Sequence, residues 1–370
     1  MIETDLCVIG AGPAGLSAAT KAAKLGCKVV LIDENIRAGG QLFKQIHKFF
    51  GSKEHLAGVR GFDIGEKMLK EAAEAGVDIM LSTLAYGIFE GNKIGIHIPK
   101  DKTNGIIEAK KIIIAAGGLE NSPAFPGWTL PGVMGAGAAQ TLANLYGIKP
   151  GSKAVMVGTG NVGLIVSYQL MQSGVEVVAI VEAADKITGY LVHARKLLRE
   201  GVPIYLSATI KEAIGKNSVE RAVLITHSGQ ELELEADTIC IATGLSPLSE
   251  MASMAGCLFT YSKTLGGFVP LHDRNMQTTN ENIYVAGDVS GIEEASTAME
   301  EGQIAGISVA KALQKEGASQ ADALIAKCYE RLDQLREGAF GAARLSAKEA
   351  MFEEAGHVIQ KGKGRGEGAV

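Results

Sequence analysis

The sequence predicts an α/β protein built from two βαβ-type domains, one inserted into the other, with a helical tail after both. Two observations carry this expectation. Glycine clusters of one form, GAGPAG at 10–15 and GTGNVG at 158–163, each follow a short apolar run, and the first is followed by a segment with small residues on one face. Two further apolar runs, KKIIIAAGG at 110–118 and ADTICIATG at 236–244, read as strands returning the chain from a small inserted sheet, each closing one domain.

The first unit, DLCVIGAGPAGLSAATKAAKLGCKVVLIDE, reads as a strand at Leu6–Ile9, a glycine turn, a helix, and a second buried strand ending at Asp33. In this Rossmann-like pattern Gly10 makes the tight turn, Gly12 lets the backbone approach a pyrophosphate, and Gly15 lets helix pack on sheet. The helix opens at Pro13 and Ala14, where free N–H groups and the dipole favour an anion. Asp33, 18 residues past Gly15, stands where an acid accepts from the adenosine ribose, and Glu34 beside it can share that role.

The second unit, KAVMVGTGNVGLIVSYQLMQSGVEVVAIVE, repeats the pattern with Gly158, Gly160, Asn161, Val162 and Gly163, and ends in Glu182. It implies a second nucleotide site, or a fold that has lost its ligand. For a nicotinamide ligand Glu182 favours NAD(H), since no arginine closely follows it to meet a 2′-phosphate. Farther on, Ile283–Ala286 reads as a strand, followed by Gly287, Asp288 and a helix whose N-terminus stabilises charge on a reduced ring while Asp288 accepts from a sugar-like hydroxyl.

The chain has 370 residues, 46% of them apolar, with 47 glycines, 36 basic and 41 acidic residues and a net charge of −5. That balance, with no long basic run before the last residues, excludes a nucleic-acid surface. No secretory pattern opens the chain and no uncharged apolar run spans a membrane, so the expected location is cytoplasmic with no membrane span. The five cysteines, Cys7, Cys27, Cys240, Cys257 and Cys328, form no CxxC pair and read as core thiols. The seven histidines form no HxxxH pattern, and no P-loop, GxSxG or metal cluster is present. No catalytic residue and no metal ligand is therefore assigned.

The order GAGPAG, Gly-Gly, AAGG, GTGNVG, ATG, YVAGDV resembles the glutathione-reductase-like flavoproteins over roughly residues 1 to 315. DENIRAGGQ, FPGWTLPGVMGAGAAQTL and AGDVSGIEEASTAMEEGQIAG are similar to the FAD-binding α-type subunits of sarcosine oxidase, hydrogen cyanide synthase, opine oxidase and dye-linked proline dehydrogenase. The resemblance implies an FAD-binding Rossmann-like domain at 1–120 and 246–315, a crossover and inserted NAD(P)-binding domain at 121–245, and a helical tail at 316–370. It assigns Gly10, Gly12, Pro13, Ala14, Gly15, Asp33 and Glu34 to the AMP half of FAD, and Arg37, Gly40 and Gln41 to the phosphates and flavin. Ala116 and Gly117 join the cofactor site, and Gly287 and Asp288 the ribityl chain. Trp128 is expected as a packing anchor of the crossover.

Two departures from the family bear on electron flow. RAGGQLFKQIHKFFGS at 37–52 holds no cysteine, nor does the second fingerprint, so both usual places for a redox disulfide are vacant. The tail has one cysteine where several relatives carry an iron–sulfur module, and it reads instead as two helices, about 320–337 and 345–359, with a flexible end. The stripe Leu324, Cys328, Leu332, Leu335 is expected to pack on its own domain. The implied function is the flavin- and nucleotide-binding subunit of an amino- or imino-acid dehydrogenase, beside a catalytic flavoprotein and a small iron–sulfur protein. The alternatives are a self-sufficient NADH-dependent reductase of a ferredoxin, quinone or oxygen, and an assembly subunit holding FAD and a nucleotide.

Overall fold

The computed structural model describes residues 1–49 and 52–366, and it divides into two units, Met1–Leu119 with Ser246–Val370, and Glu120–Leu245. In the larger unit the strand Ile2–Ile9 pairs in parallel with Val29–Ile32 on one side and Thr103–Ile114 on the other. Asp78–Met80 extends the sheet beyond Val29–Ile32, and Ile283–Val285 pairs with the last residues of Thr103–Ile114. Leu6–Ile9, Val29–Ile32, Ile112–Ile114 and Ile283–Val285 are buried on both faces, as a parallel sheet covered by helices requires. The early half of Thr103–Ile114 pairs antiparallel with Lys93–Ile98, which pairs with Leu84–Phe89. One long strand thus carries the chain from the small antiparallel sheet back into the parallel one.

The smaller unit repeats this plan. Its parallel sheet runs Ile204–Tyr205, Glu176–Val181, Lys153–Val157, Thr238–Ile241, Val133–Gly135, and an antiparallel trio, Ala208–Ile214, Arg221–Thr226 and Glu231–Glu235, precedes the returning strand. The crossover segment is itself structural: it supplies the edge strand Val133–Gly135 and the helix Ala136–Tyr146. Phe125, not Trp128, fills the core there. Trp128 is 47% exposed, and its backbone N–H closes a turn onto Phe125 O at 3.0 Å.

Two helices of the larger unit pack with almost no gap. A Cβ on Gly302 would lie 2.2 Å from Ala14 O, and one on Gly306 2.4 Å from Ala18 O, so the helix Ala295–Ala312 lies backbone to backbone against the helix Pro13–Lys24. Only residues without a side chain permit that approach.

The tail forms two helices, Ala321–Leu335 and Gly338–Gly366. Cys328 and Leu332 are buried in the core beside Leu25 and Ala318, with Leu324 packed at its margin. The second helix starts earlier than its apolar spacing predicts and continues to Gly366 through a segment expected to be flexible; residues 367–370 of that expected end lie outside the described residues. Among the described residues, no helix is long and apolar enough to cross a membrane.

Candidate functional site

In the first glycine turn each glycine answers to a different constraint. Gly10 has φ +105°, donates its N–H to Ile32 O at 2.8 Å, and its Cβ would sit 2.3 Å from Ala115 O. For Gly15 the added atom would lie 1.8 Å from Gly10 O, which is the close helix-to-strand contact expected of it. Gly12 differs from both: its φ of −75° suits any residue and the nearest atom to its Cβ, Gly40 Cα, is 3.9 Å away. Space is left above it. The helix that begins at Pro13 has no capping side chain and no acid in its first turn, so the N–H groups of Ala14 and Gly15 are available to an anion.

The segment after the second strand folds back over this turn. Gly39 donates to Ala11 O at 2.7 Å, and Gly40, with φ +52°, sits so close to Gly12 that a Cβ would approach its Cα to 2.9 Å. Asp33 is buried and already engaged: Oδ2 accepts from Ala11 N–H at 2.6 Å, and Oδ1 from the backbone and side-chain N–H groups of Asn35 at 2.8 and 2.9 Å. It therefore shapes the turn, while Glu34, Arg37 and Gln41 stand exposed around it. Ala115 donates to Ile9 O at 2.8 Å, which sets Ala116 and Gly117 at the end of the central strand, and Gly117 O accepts from Leu248 N–H at 3.0 Å.

Gly287 and Asp288 come to the same place. Gly287 has φ +77° and a Cβ there would be 2.8 Å from Ala14 Cβ, so this turn leans on the fingerprint helix. The expectation that Asp288 sits at the start of a long helix is corrected: residues Gly287–Ser290 form a 3₁₀ turn, and the helix begins only at Ala295. The intervening Gly291, with φ +132°, turns the chain before the helix can start. Burial pushes the Asp288 carboxyl up to about 6; the Glu293 N–H at 3.4 Å and Lys348 oppose this, and the charges of Glu301 and Glu293 reinforce it.

Sequence reading missed the residues that hold these two edges. Glu301 accepts from Gly287 N–H at 3.1 Å, Ser290 Oγ at 2.8 Å, Arg336 at 2.9 Å and Lys348 at 2.8 Å. Its neighbour Glu300 takes both arms of Arg331, at 2.8 and 2.7 Å, and His55 Nε2 at 2.9 Å, while His55 Nδ1 meets Ser52 Oγ at 2.8 Å. Two adjacent glutamates in EEGQ thus bind the turn at 287–290 and the loop around His55.

In the smaller unit the second turn repeats the first. Gly158 has φ +111° and donates to Val181 O at 2.7 Å; its Cβ would meet Ala242 O at 2.3 Å, and that of Gly163 would meet Gly158 O at 2.3 Å. Gly160 has open space at its Cβ position. Asn161 Oδ1 accepts from Tyr190 N–H at 2.8 Å, and Val162 is exposed on the first turn of the helix. Glu182 is more fully used than Asp33: Oε2 accepts from Thr159 N–H at 2.9 Å, Thr159 Oγ1 at 2.5 Å and Thr188 Oγ1 at 3.2 Å, and Oε1 from Ala184 N–H at 3.0 Å. Burial raises its pKa and these bonds outweigh burial, so it titrates below the usual range. Gly189 donates to Thr159 O at 2.8 Å just as Gly39 donates to Ala11 O. KITGY is thus the counterpart of RAGGQ, a repeat too degenerate to be read from composition.

All five cysteines are buried and free. Burial pushes the thiols of Cys7, Cys240 and Cys328 up to about 12 and that of Cys27 up to about 11, and raises Cys257 as well. A thiol so placed is neither nucleophile nor redox partner at neutral pH. A thiol-blocking reagent should label none of the five cysteines in the folded chain and should leave its activity unchanged. Inactivation by the reagent in the folded state would show a reactive cysteine. Among the described residues no group of three or more His, Cys, Asp or Glu is placed to hold a metal ion.

Comparison with known proteins follows the same lines. The chain is 27% identical over 328 residues to an opine oxidase subunit of Agrobacterium tumefaciens (strain Ach5), covering 82% of this chain and 64% of that one. It is 26% identical to the alpha subunit of sarcosine oxidase from Corynebacterium sp. (strain P-1), covering 84% of this chain and 33% of the relative, so it spans only part of the curated proteins it matches. The crystal structure of L-proline dehydrogenase from P. horikoshii superposes with a TM-score of 0.69 at 22% identity, over 89% of this chain and 59% of that one, and shares the fold. Residues 4–302 match the family model for pyridine nucleotide-disulphide oxidoreductases, and with both glycine turns, both returning strands and the Gly287 turn inside that span, the chain belongs to this family of oxidoreductases although it has no disulfide pair of its own.

Proposed function

We propose that the larger unit binds FAD and that the chain is the flavin- and nucleotide-binding electron-transfer subunit of an enzyme oxidising the C–N bond of an amino or imino acid. The observation that carries this is the convergence on one spot of an uncapped helix N-terminus, an open Gly12, the Gly39–Gly40 fold-back and the Gly287–Asp288 turn. The residues present fit the cofactor. Ala14 and Gly15 N–H groups receive the pyrophosphate, exposed Glu34 receives the ribose hydroxyls left over by the engaged Asp33, and Asp288 accepts from a ribityl hydroxyl. Bound FAD would supply two-electron acceptance. Because the chain offers no thiol pair, and Glu34 and Asp288 are taken up by the cofactor's hydroxyls, substrate oxidation falls to a partner flavoprotein, with a small iron–sulfur protein as electron exit.

The relatives named as subunits support a partner, and the test is direct. Co-purification from the native host should bring down a second flavoprotein, and the complex should oxidise proline, hydroxyproline, sarcosine or an opine with an artificial dye while the chain alone does not. Turnover of an amino acid by the isolated chain at an ordinary rate, ~10 per second, would reject the subunit role. The open Gly160 supports a second reading, an NADH-dependent reductase. In either, NADH should bind more tightly than NADPH, since Oε1 of Glu182 keeps a lone pair for a ribose hydroxyl and its charge repels a 2′-phosphate. Equal binding of the two in titration would refute this assignment of Glu182.

A further inference from the structure

Lys348, in the second tail helix, has no exposed surface at all. Burying an ammonium is costly unless it is fully paired. Its donors reach Ser290 O at 2.8 Å, Ser290 Oγ at 2.9 Å and Glu301 Oε1 at 2.8 Å. None of these partners belongs to the tail; all lie on the turn carrying Asp288 or on the glutamate that holds that turn. Arg336, at the end of the first tail helix, points the same way. It grips Glu293 with two bonds, at 2.9 and 2.6 Å, and adds a third to Glu301 at 2.9 Å. Arg344 then donates to Ile292 O at 2.9 Å. If the tail served only to cover the core around Leu332, apolar contacts would suffice, and three cations converging on residues 290–301 would be unexplained.

We propose that Lys348 and Arg336 are positioning residues of the flavin site. Acting through Glu301 and Ser290, they hold the Gly287–Ser290 turn against the fingerprint helix in the shape that receives FAD, which makes the tail part of the cofactor site. The inference rests on the FAD reading of the larger unit. Its physical basis is that Glu301 has four donors but only two of them, from Gly287 and Ser290, belong to the turn; the two tail cations orient the carboxylate so that it presents its oxygens to those groups. They also offset the charge that Glu301 and Glu293 set beside Asp288, so that the site can accept the further negative charge of a reduced flavin.

The experiment uses the full chain, stripped of cofactor and titrated with FAD. Lys348→Met keeps the length of the side chain and removes its charge. It should bind FAD roughly tenfold more weakly or worse, as expected when a charged anchor of a binding turn is lost, and its flavin should have a more negative midpoint potential, because an uncompensated carboxylate disfavours the reduced ring. A tail that only adds stability would change the melting temperature and leave the potential alone. A second measurement needs no variant: in the wild-type chain, adding FAD should slow amide exchange across residues 336–350 together with residues 287–292. Equal FAD affinity and potential in Lys348→Met, or exchange across 336–350 that FAD does not alter, overturns the proposal while leaving the FAD reading intact. A wild-type chain that takes up no FAD overturns both.

Discussion

Gly12→Val should fold and lose the flavin, whereas Gly15→Val should fail to fold. The two glycines lie three residues apart in one fingerprint, and neither needs an unusual backbone angle: Gly12 has φ −75° and Gly15 lies within the helix Pro13–Lys24. Only the surroundings separate them. An added Cβ at Gly12 meets nothing closer than 3.9 Å, so the valine is accommodated by the protein and its branches occupy the space over the helix N-terminus where a pyrophosphate must come within hydrogen-bonding distance. At Gly15 the same atom would lie 1.8 Å from the carbonyl oxygen of Gly10, a backbone atom that cannot swing aside. The cost exceeds the roughly 1–3 kcal/mol typical of overpacking, because strand and helix must separate. Visible absorbance per purified chain and a thermal melt distinguish the outcomes. A yellow Gly12→Val protein with full flavin content would remove FAD from this turn.

Glu301→Leu should destabilise the larger unit by roughly 3–5 kcal/mol, the usual loss when one member of a buried charge cluster is deleted and its partners stay behind. Lys348 and Arg336 would be left buried facing a leucine, and Gly287 N–H would lose its acceptor. Glu301→Gln should cost less, since the amide oxygen still accepts. The pH dependence has a definite sign. Burial raises the Glu301 pKa, but Lys348 and Arg336 more than reverse this and bring it from 4.5 down to about 2. A depressed folded-state pKa contributes stability that is complete above the unfolded value and is lost as pH falls between about 4.5 and about 2. That slope should be shallower in Glu301→Gln, where Asp5 and Glu300, whose carboxyls are also held below the usual range, still contribute. The measurement is denaturant unfolding followed by circular dichroism.

The parts legible from sequence are those whose cause is local. A glycine turn between a strand and a helix depends on a few successive backbone angles and on the absence of side chains at fixed spacings, so Gly10, Gly12, Gly15, Gly158, Gly160 and Gly163 declare themselves in a string of letters. Buried parallel strands do the same, because both faces must be apolar and the run is unbroken. The absence of a redox disulfide was equally plain, since two cysteines at the required places are either present or not. Asp33 and Glu182 were found by spacing, yet spacing could not reveal how their oxygens are spent: three donors from Ala11 and Asn35 on one, four from Thr159, Thr188 and Ala184 on the other.

Tertiary structure alone decided the rest. Glu300 and Glu301 look in the sequence like solvated charges on a helix of small residues, and Arg331, Arg336 and Lys348 like the exposed side of an amphipathic tail. Their pairing joins segments far apart in the chain, His55 with Glu300 and Lys348 with Ser290, and no local pattern encodes a partner that distant. A charge reads as surface until another buried charge is shown to face it, because the same letters are cheap in water and costly in a core unless matched. For this protein the sequence by itself determined the two nucleotide-type turns and the strands that present them. Folding determined that the tail's cations reach the Asp288 turn, since only the packing of the helix Ala295–Ala312 against the helix Pro13–Lys24 brings Glu301 to where both can meet it.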